Sequence, residues 1–360
     1  MEVFHCGTRI LSGEGSLDSL RELGIRRLLL VTDPFFEKNG VARQVAEASG
    51  AEAWELFSEI SPDPTVELAA RGTAAVQRFR PDTVVALGGG SAMDCAKAMV
   101  YFSGERLPLV AVPTTSGSGS EVTDFAILTH GGVKHPLVDP ALRPAVAILD
   151  GQLLKQLPPS LVADGGFDVL AHAMEAYVAR DAGTITDGLA ESAFRTALTL
   201  LPASFAGDRG VRQKIHQASC MAGMAFTQAG LGLCHAVSHG LGGAFHIPHG
   251  RLNAIVLPAV VACNEEAAGA KYARLARRAG LSGTADTVAL RNLKNALVSL
   301  RKQLELPQTL AQAGVPPREV RSRWAALTEA ILADPCCVTN PVPVDGALVR
   351  RVLEAVTGCG

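Results

Sequence analysis

The chain has 360 residues, 33 basic and 35 acidic, for a net charge of −2. At roughly 150 residues per domain this length makes about two domains, each able to bury a core. The interspersed charges form no basic field for nucleic acid or an anionic membrane, and 48% hydrophobic residues with only 5% aromatics exclude disorder in favour of a core of Ala, Val and Leu.

The opening residues MEVFHCGTRI lack the basic start and apolar run of a signal peptide. Short apolar runs at Leu28–Thr32, Thr83–Leu87, Leu109–Val112 and Val146–Leu149 then read as buried strands, with helical spacing at Pro64–Phe79 and Ser91–Phe102 between them. This alternation predicts an α/β domain over residues 1–157 with a mostly parallel, Rossmann-like, doubly wound sheet.

Two strand ends carry phosphate-binding features. Thr83–Leu87 runs into Gly88-Gly89-Gly90-Ser91 at the start of a helix, where backbone N–H groups and the positive helix end suit a diphosphate. The next strand runs into Thr114-Thr115-Ser116-Gly117-Ser118-Gly119-Ser120, a loop of hydroxyls on flexible backbone. Asp33 closes the first strand, where a carboxylate hydrogen-bonds a ribose 2′-hydroxyl and repels a 2′-phosphate, predicting NAD(H) over NADP(H). The same Asp33 is equally placed to begin a turn at Pro34.

From Pro158 the pattern is helix after helix, predicting an all-α domain over residues 158–360 whose only β-branched run is the short Ala254–Leu257 segment. Within it, Ile215 to Gly250 contains no Asp, Glu, Lys or Arg but five of the nine histidines. That stretch is long enough to cross a bilayer, yet its polar groups argue for burial inside protein. Eight cysteines without CxxC spacing point to a reducing compartment, the cytoplasm.

Asp168 and His172 fall at i, i+4 in GGFDVLAHAMEAY, so one helix face presents both. His235 and His239 have the same spacing, and His249 follows ten residues on. One carboxylate with two or three imidazoles suits iron(II) or zinc(II) with a position open to a substrate oxygen. Spacing alone does not choose among His235, His239, His246 and His249; Glu175, on the same face as Asp168, suits a partner to a ligand.

Over essentially its whole length the chain resembles the iron-containing (group III) alcohol dehydrogenase family. The resemblance rests on VTD at 31–33, GGGSAMDCAK at 88–97, PTTSGSGSEVT at 113–123, GGFDVLAHAMEAYV at 165–178 and CHAVSHGLGGAFHIPHG at 234–250. The segments SEISPDPT, KHPLVDPALRPAVAILD and ASCMAGMAFTQAGLGL are most similar to the 1-propanol and ethanol dehydrogenases associated with bacterial microcompartments. The resemblance implies that Asp168, His172, His235 and His249 bind the metal and leaves His239 as a free imidazole near the nicotinamide, a catalytic proton relay. It implies cofactor contacts from Gly89, Gly90, Ser91, Thr114, Thr115, Ser118 and Lys134, with Asp33 at the adenosine ribose and Asp63 near the nicotinamide. Phe226 and Cys336 match positions lining the substrate pocket, and Phe125 stands where diol-handling relatives carry a polar residue. One departure is Asp150-Gly151-Gln152-Leu153, where relatives usually have Asp-Pro-x-Leu.

The expected activity is NADH-dependent interconversion of short aldehydes, propanal or acetaldehyde, and primary alcohols, with the cofactor between the two domains. Fe(2+) is the expected metal, Zn(2+) its alternative. The rival functions are a polyol or hydroxyaldehyde reductase and, less favoured, a dehydroquinate synthase-like lyase, for which Ile215–Gly250 supplies no basic cluster. Expected partners are the small substrate, further copies of the chain in a homodimer or larger homo-oligomer, and microcompartment enzymes, with no nucleic acid and no membrane.

Overall fold

The computed structural model describes residues 3–131 and 133–358. Cys359 lies outside them, and the seven described cysteines are free thiols. The chain divides into two compact units: His5–Leu157 with Arg212–Gly223, and Pro158–Val211 with the chain from Met224 onward.

In the first unit six parallel strands form one sheet. Its strands are β1 (Arg9–Ser12), β2 (Arg27–Val31), β3 (Ala53–Phe57), β4 (Thr83–Gly88), β5 (Leu109–Pro113) and β8 (Val146–Leu149), while β6 (Phe125–His130) and β7 (Val133–Val138) make a separate antiparallel pair. The sheet order is β1-β8-β5-β4-β2-β3. β4 and β5 are buried at every residue, which explains their unbroken apolar runs. β1 and β3 lie at the two edges, half-exposed, and so carry no such run.

Alternate residues leave the sheet on opposite faces. Leu29, Val31, Val84, Ala86 and Ala111 join one core cluster, whereas Leu28, Leu30, Val85, Leu87, Val110 and Val112 join another. The unit's helices are α1 (Pro34–Lys38), α2 (Val41–Ser49), α3 (Val66–Phe79) and α4 (Gly90–Ser103); α3 and α4 cover the first face and α2 the second. The chain order reverses between β2 and β4, and ligands of open α/β sheets bind at the carboxyl ends of strands at such a switch point. Asp33 follows β2, the three glycines end β4, and the hydroxyl loop follows β5.

The second unit is helical: α5 (Pro159–Val178), α6 (Thr184–Phe205), the end of α7 (Arg212–Ala229), α8 (Leu233–Phe245), α9 (His249–Arg278), α10 (Asp286–Gln303), α11 (Pro317–Ser322), α12 (Trp324–Leu332) and α13 (Gly346–Thr357). α5 packs against α6 and α9 and is buried along nearly its whole length. Two expectations are corrected. Ala254–Leu257 lies inside α9, fully buried, so its apolar run has no helical period to betray it. The expected helical domain beginning at 158 is interrupted at Arg212–Gly223, which belongs to the α/β unit: Arg212 donates to the carbonyls of Leu154 and Leu157, and Gln213 to that of Leu149. Gly151 donates its N–H to Gln213 Oε1 (2.6 Å), and a Cβ there would sit 2.7 Å from that oxygen, so the proline usual in relatives would lose the bond and collide.

Among the described residues no single helix is long and apolar enough to cross a membrane. The charge-free stretch falls on α7, α8 and the start of α9; α7 and α8 meet at a 103° bend, and most residues of α8 are buried inside protein.

Candidate active site

In the α/β unit the two phosphate-type loops lie against each other. A Cβ on Gly89 would meet the Thr115 side chain at 3.2 Å, and one on Gly90 would meet Ser118 at 3.2 Å. A side chain at either position would force the facing residue back by a few tenths of an ångström, so the glycines let the start of α4, with its N–H groups, lie against the hydroxyl loop. Ser91 stands in that same first turn, and Thr114 N–H donates to Gly88 O (2.9 Å), tying the second loop to the first. Asp33 begins the turn at Pro34: Oδ1 caps α1 by accepting from the Phe35 and Phe36 N–H groups, while Oδ2 is 3.9 Å from the Cβ position of Gly88, beside the end of β4.

Lys134 Nζ pairs with Asp63 Oδ1 at 2.6 Å, and Asp63 has a left-handed backbone (φ 54). These two expected cofactor residues thus meet each other. Lys97 is absorbed by structure: buried, it donates to the Thr123 and Phe125 carbonyls and to Thr123 Oγ1. Phe125 is half-buried on β6 in this unit.

The helical unit gathers Asp168, His172, His235 and His249, whose nearest donor atoms all lie within 4.8 Å of one another. Asp168 Oδ1 is 3.7 Å from His172 Nδ1, 3.8 Å from His235 Nε2 and 3.5 Å from His249 Nε2. Donors about 2.1 Å from a tetrahedral cation are roughly 3.4 Å apart, so the spacing fits one metal ion. The Asn253 amide provides a second indication. Its Nδ2 donates to Asp168 Oδ1 (2.7 Å) and faces His249 Nε2 (3.1 Å) and His235 Nε2 (3.3 Å), so three lone-pair directions converge on a partial positive charge.

Backbone and carboxylates fix these donors. Glu175, one helical turn beyond His172, accepts from the N–H groups of Gly232, Cys234 and His235 at the start of α8 and from His235 Nδ1 (2.6 Å). With Nδ1–H committed to Glu175, His235 turns its Nε2 lone pair toward Asp168. Burial opposes protonation of His235, but the neighbouring Asp168 and Glu175 carboxylates outweigh that and lift its pKa to about 9, so a proton and a cation compete for Nε2. Burial likewise opposes ionisation of Asp168, yet His172, His249 and His235 hold its carboxyl well below the usual range. His249 is set by close packing of α9 on α5: a Cβ on Gly250 would collide with the Asp164 carbonyl, and Arg251 grips the Asp164 carboxylate with two bonds of 3.2 and 2.9 Å.

His239 lies beside this cluster, stacked on His249 (centroids 5.2 Å apart, 20°), and its Nδ1 is 2.8 Å from Asp334 Oδ2. The other oxygen of Asp334 accepts from Cys336 N–H (2.8 Å). Phe226 stacks on His172 with centroids 4.4 Å apart. The two expected pocket residues of the helical unit thus border the donor cluster and the His239 ring respectively. His246 closes α8 in the left-handed conformation (φ 55), a structural position.

Sequence reasoning missed Asn253 and Asp334. Asn253 is i+4 from His249, a signal available in the sequence; Asp334 is 95 residues from His239 and offered none.

Dinucleotide-type loops in one unit and a metal-type donor cluster in the other mark a cofactor- and metal-dependent enzyme. Family comparison makes it specific: residues 7–151 match the iron-containing alcohol dehydrogenase model, residues 162–357 match the C-terminal model of the same family, and the chain belongs to that family. It is 41% identical to the 1-propanol dehydrogenase PduQ of Citrobacter freundii, over 98% of this chain and 99% of the relative. The iron-containing alcohol dehydrogenase of Thermococcus thioreducens superposes with a TM-score of 0.91 at 33% identity, covering 99% of this chain and 100% of that one. Sulfoacetaldehyde reductase from Bifidobacterium kashiwanohense, solved with NAD+, gives 0.90 at 26% identity over the full length of both. This chain is accordingly an iron-containing alcohol dehydrogenase that interconverts aldehydes and alcohols.

Proposed function

We propose that the enzyme reduces short unbranched aldehydes, propanal and acetaldehyde foremost, to primary alcohols and so regenerates NAD+. The observation that carries the reading is the convergence of Asp168, His172, His235 and His249 on one point. These four would hold iron(II), and Gly89, Gly90, Ser91, Thr114, Thr115 and Ser118 would receive the cofactor diphosphate, with Asp33 at the ribose and Asp63 and Lys134 toward the nicotinamide.

When bound, the metal supplies Lewis acidity toward the carbonyl oxygen and the nicotinamide supplies the hydride. The protein's own residues do the rest. Glu175 orients His235, and the Asp164–Arg251 pair fixes the start of α9 under His249. Asp334 accepts from His239 Nδ1–H, so Nε2 is the atom that holds and passes the proton to the alcohol oxygen. Phe226 covers one face of His172 and excludes water there, while Cys336, held through its N–H by Asp334, limits the aldehyde's length. Phe125, apolar, favours a plain aldehyde over a hydroxyaldehyde.

The resemblance to 1-propanol dehydrogenases supports a cytoplasmic enzyme packaged in a bacterial microcompartment and assembled as a homodimer or larger oligomer. Anaerobic reconstitution with Fe(II), followed by kinetics with C2 to C4 aldehydes, glycerol and lactaldehyde, tests the reading. Highest kcat/KM with propanal or acetaldehyde supports it; no aldehyde turnover, or preference for a hydroxylated substrate, overturns it.

A further inference from the structure

His216 takes no part in the chemistry above, yet it is buried completely on α7. Burial pulls its pKa down to about 4, so the ring is neutral near pH 7. An imidazole is costly to bury without a hydrogen-bond partner, and the partner is specific: Nδ1 lies 3.0 Å from Ser116 Oγ, in the middle of the loop that follows β5. In a neutral ring the tautomer sets the direction of this bond: Nδ1 accepts the Ser116 hydroxyl proton or donates its own to Oγ, and either way the bond ties Ser116 to α7.

The helix that carries His216 is anchored to the same unit as the loop. Besides the bonds of Arg212 to the Leu154 and Leu157 carbonyls and of Gln213 to the end of β8, Gln217 Nε2 donates to Ser12 Oγ (2.9 Å). Two turns after His216, Gly223 comes so near the far end of the loop that a Cβ on it would sit 2.9 Å from the Gly119 carbonyl oxygen. The loop is therefore held from behind at two points, Ser116 by a directed hydrogen bond and Gly119 by contact. On its other side Thr115 and Ser118 meet the glycines of the first loop. A seven-residue run of Thr, Ser and Gly has little stiffness of its own; inside it Ser118 Oγ accepts from Ser120 N–H, and Ser120 Oγ donates to Asp94 on α4, but among the described residues the Ser116 hydroxyl is tied only from α7.

We propose that His216 is a positioning residue for the dinucleotide, holding Ser116 and with it the Thr114–Ser120 loop in the conformation that receives the cofactor diphosphate. This rests on the reading that the two loops form the diphosphate cradle. The test is NADH binding to the iron-loaded enzyme by fluorescence titration, with steady-state kinetics alongside. His216→Leu removes the bond and weakens NADH binding roughly fivefold, the effect of one neutral hydrogen bond. The loss falls on KM for NADH more than on kcat, and iron content holds. His216→Asn, whose amide reaches close to the Nδ1 position, restores most of the affinity. Ser116→Ala reproduces the loss, and the double variant loses no more than either single one, because both remove the same bond. Unchanged NADH affinity in His216→Leu, or losses that add, overturns the proposal. If His216→Leu does not fold, Ser116→Ala decides alone, with wild-type affinity the overturning result. Failure of the wild-type enzyme to bind NADH sinks the cradle reading itself, an outcome distinct from wild-type binding that is merely indifferent to His216.

Discussion

The two units build their halves of the chemistry from different material. In the α/β unit the two phosphate-type loops consist of glycine backbone and neutral hydroxyls, with Gly89 set against Thr115 and Gly90 against Ser118. In the helical unit the cluster consists of buried and half-buried titratable side chains, several held by a polar neighbour: His235 by Glu175, His239 by Asp334, and Asp168 by Asn253. A diphosphate is met by oriented N–H dipoles that need no counter-charge, whereas a divalent cation needs carboxylate and imidazole donors whose burial must be balanced. The metal half should therefore respond steeply to single substitutions and the cofactor half in smaller steps.

The largest effect belongs to the helical unit. Asp168→Ala removes the anionic donor, and iron per chain measured by elemental analysis should collapse while kcat/KM for propanal falls by about 10³-fold or more, the several kcal/mol a Lewis acid contributes. Retained iron with retained activity would mean that these four residues are not the ligand set.

The second prediction concerns acid stability and crosses to the α/β unit. His216 has its folded pKa lowered to about 4 by burial, against about 6.5 when exposed. Between those values the unfolded chain binds the proton and the folded one does not, so stability rises as pH increases from 4 to 6.5 and the penalty is complete below 4. The shift corresponds to about 3 kcal/mol. His216→Asn should flatten the acid limb of a Tm-against-pH curve, and an unaltered limb would show that other groups control it.

Glu175→Gln comes next. The amide keeps the shape but removes the charge that orients His235 and caps α8, so iron affinity measured by chelator competition should drop roughly 10- to 100-fold. No change in iron affinity would reduce Glu175 to a helix cap.

Asp33→Ser should produce the mildest change. Serine preserves the cap of α1 and removes the charge facing Gly88, so the ratio of kcat/KM for NADH over NADPH should fall on the order of tenfold with little change in Tm. An unchanged ratio assigns Asp33 to the cap alone.

Much of the α/β unit was legible in the sequence, because strand, glycine loop and helix start follow one another within a few residues. β4 flows into Gly88–Gly90 and α4, and β5 into Thr114–Ser120, so local order and spatial order coincide. The edge strands β1 and β3 escaped because half-exposed strands lose their apolar run. Within the helical unit the i, i+4 pairs Asp168/His172 and His235/His239 were visible as shared helix faces, but a helix face does not say what lies opposite it.

What the sequence determined by itself, then, is everything written in short periods: the parallel strands, the two phosphate-type loops, and the helices that carry histidines without charged neighbours. Tertiary structure alone decided that His249 joins Asp168, His172 and His235 while His239 turns to Asp334, that Glu175 sets the tautomer of His235, and that His216 faces Ser116 across a separation of 100 residues. Those pairings depend on how helices pack, through close approaches such as Gly250 on the Asp164 carbonyl, and packing between distant segments leaves no period in the chain to be read.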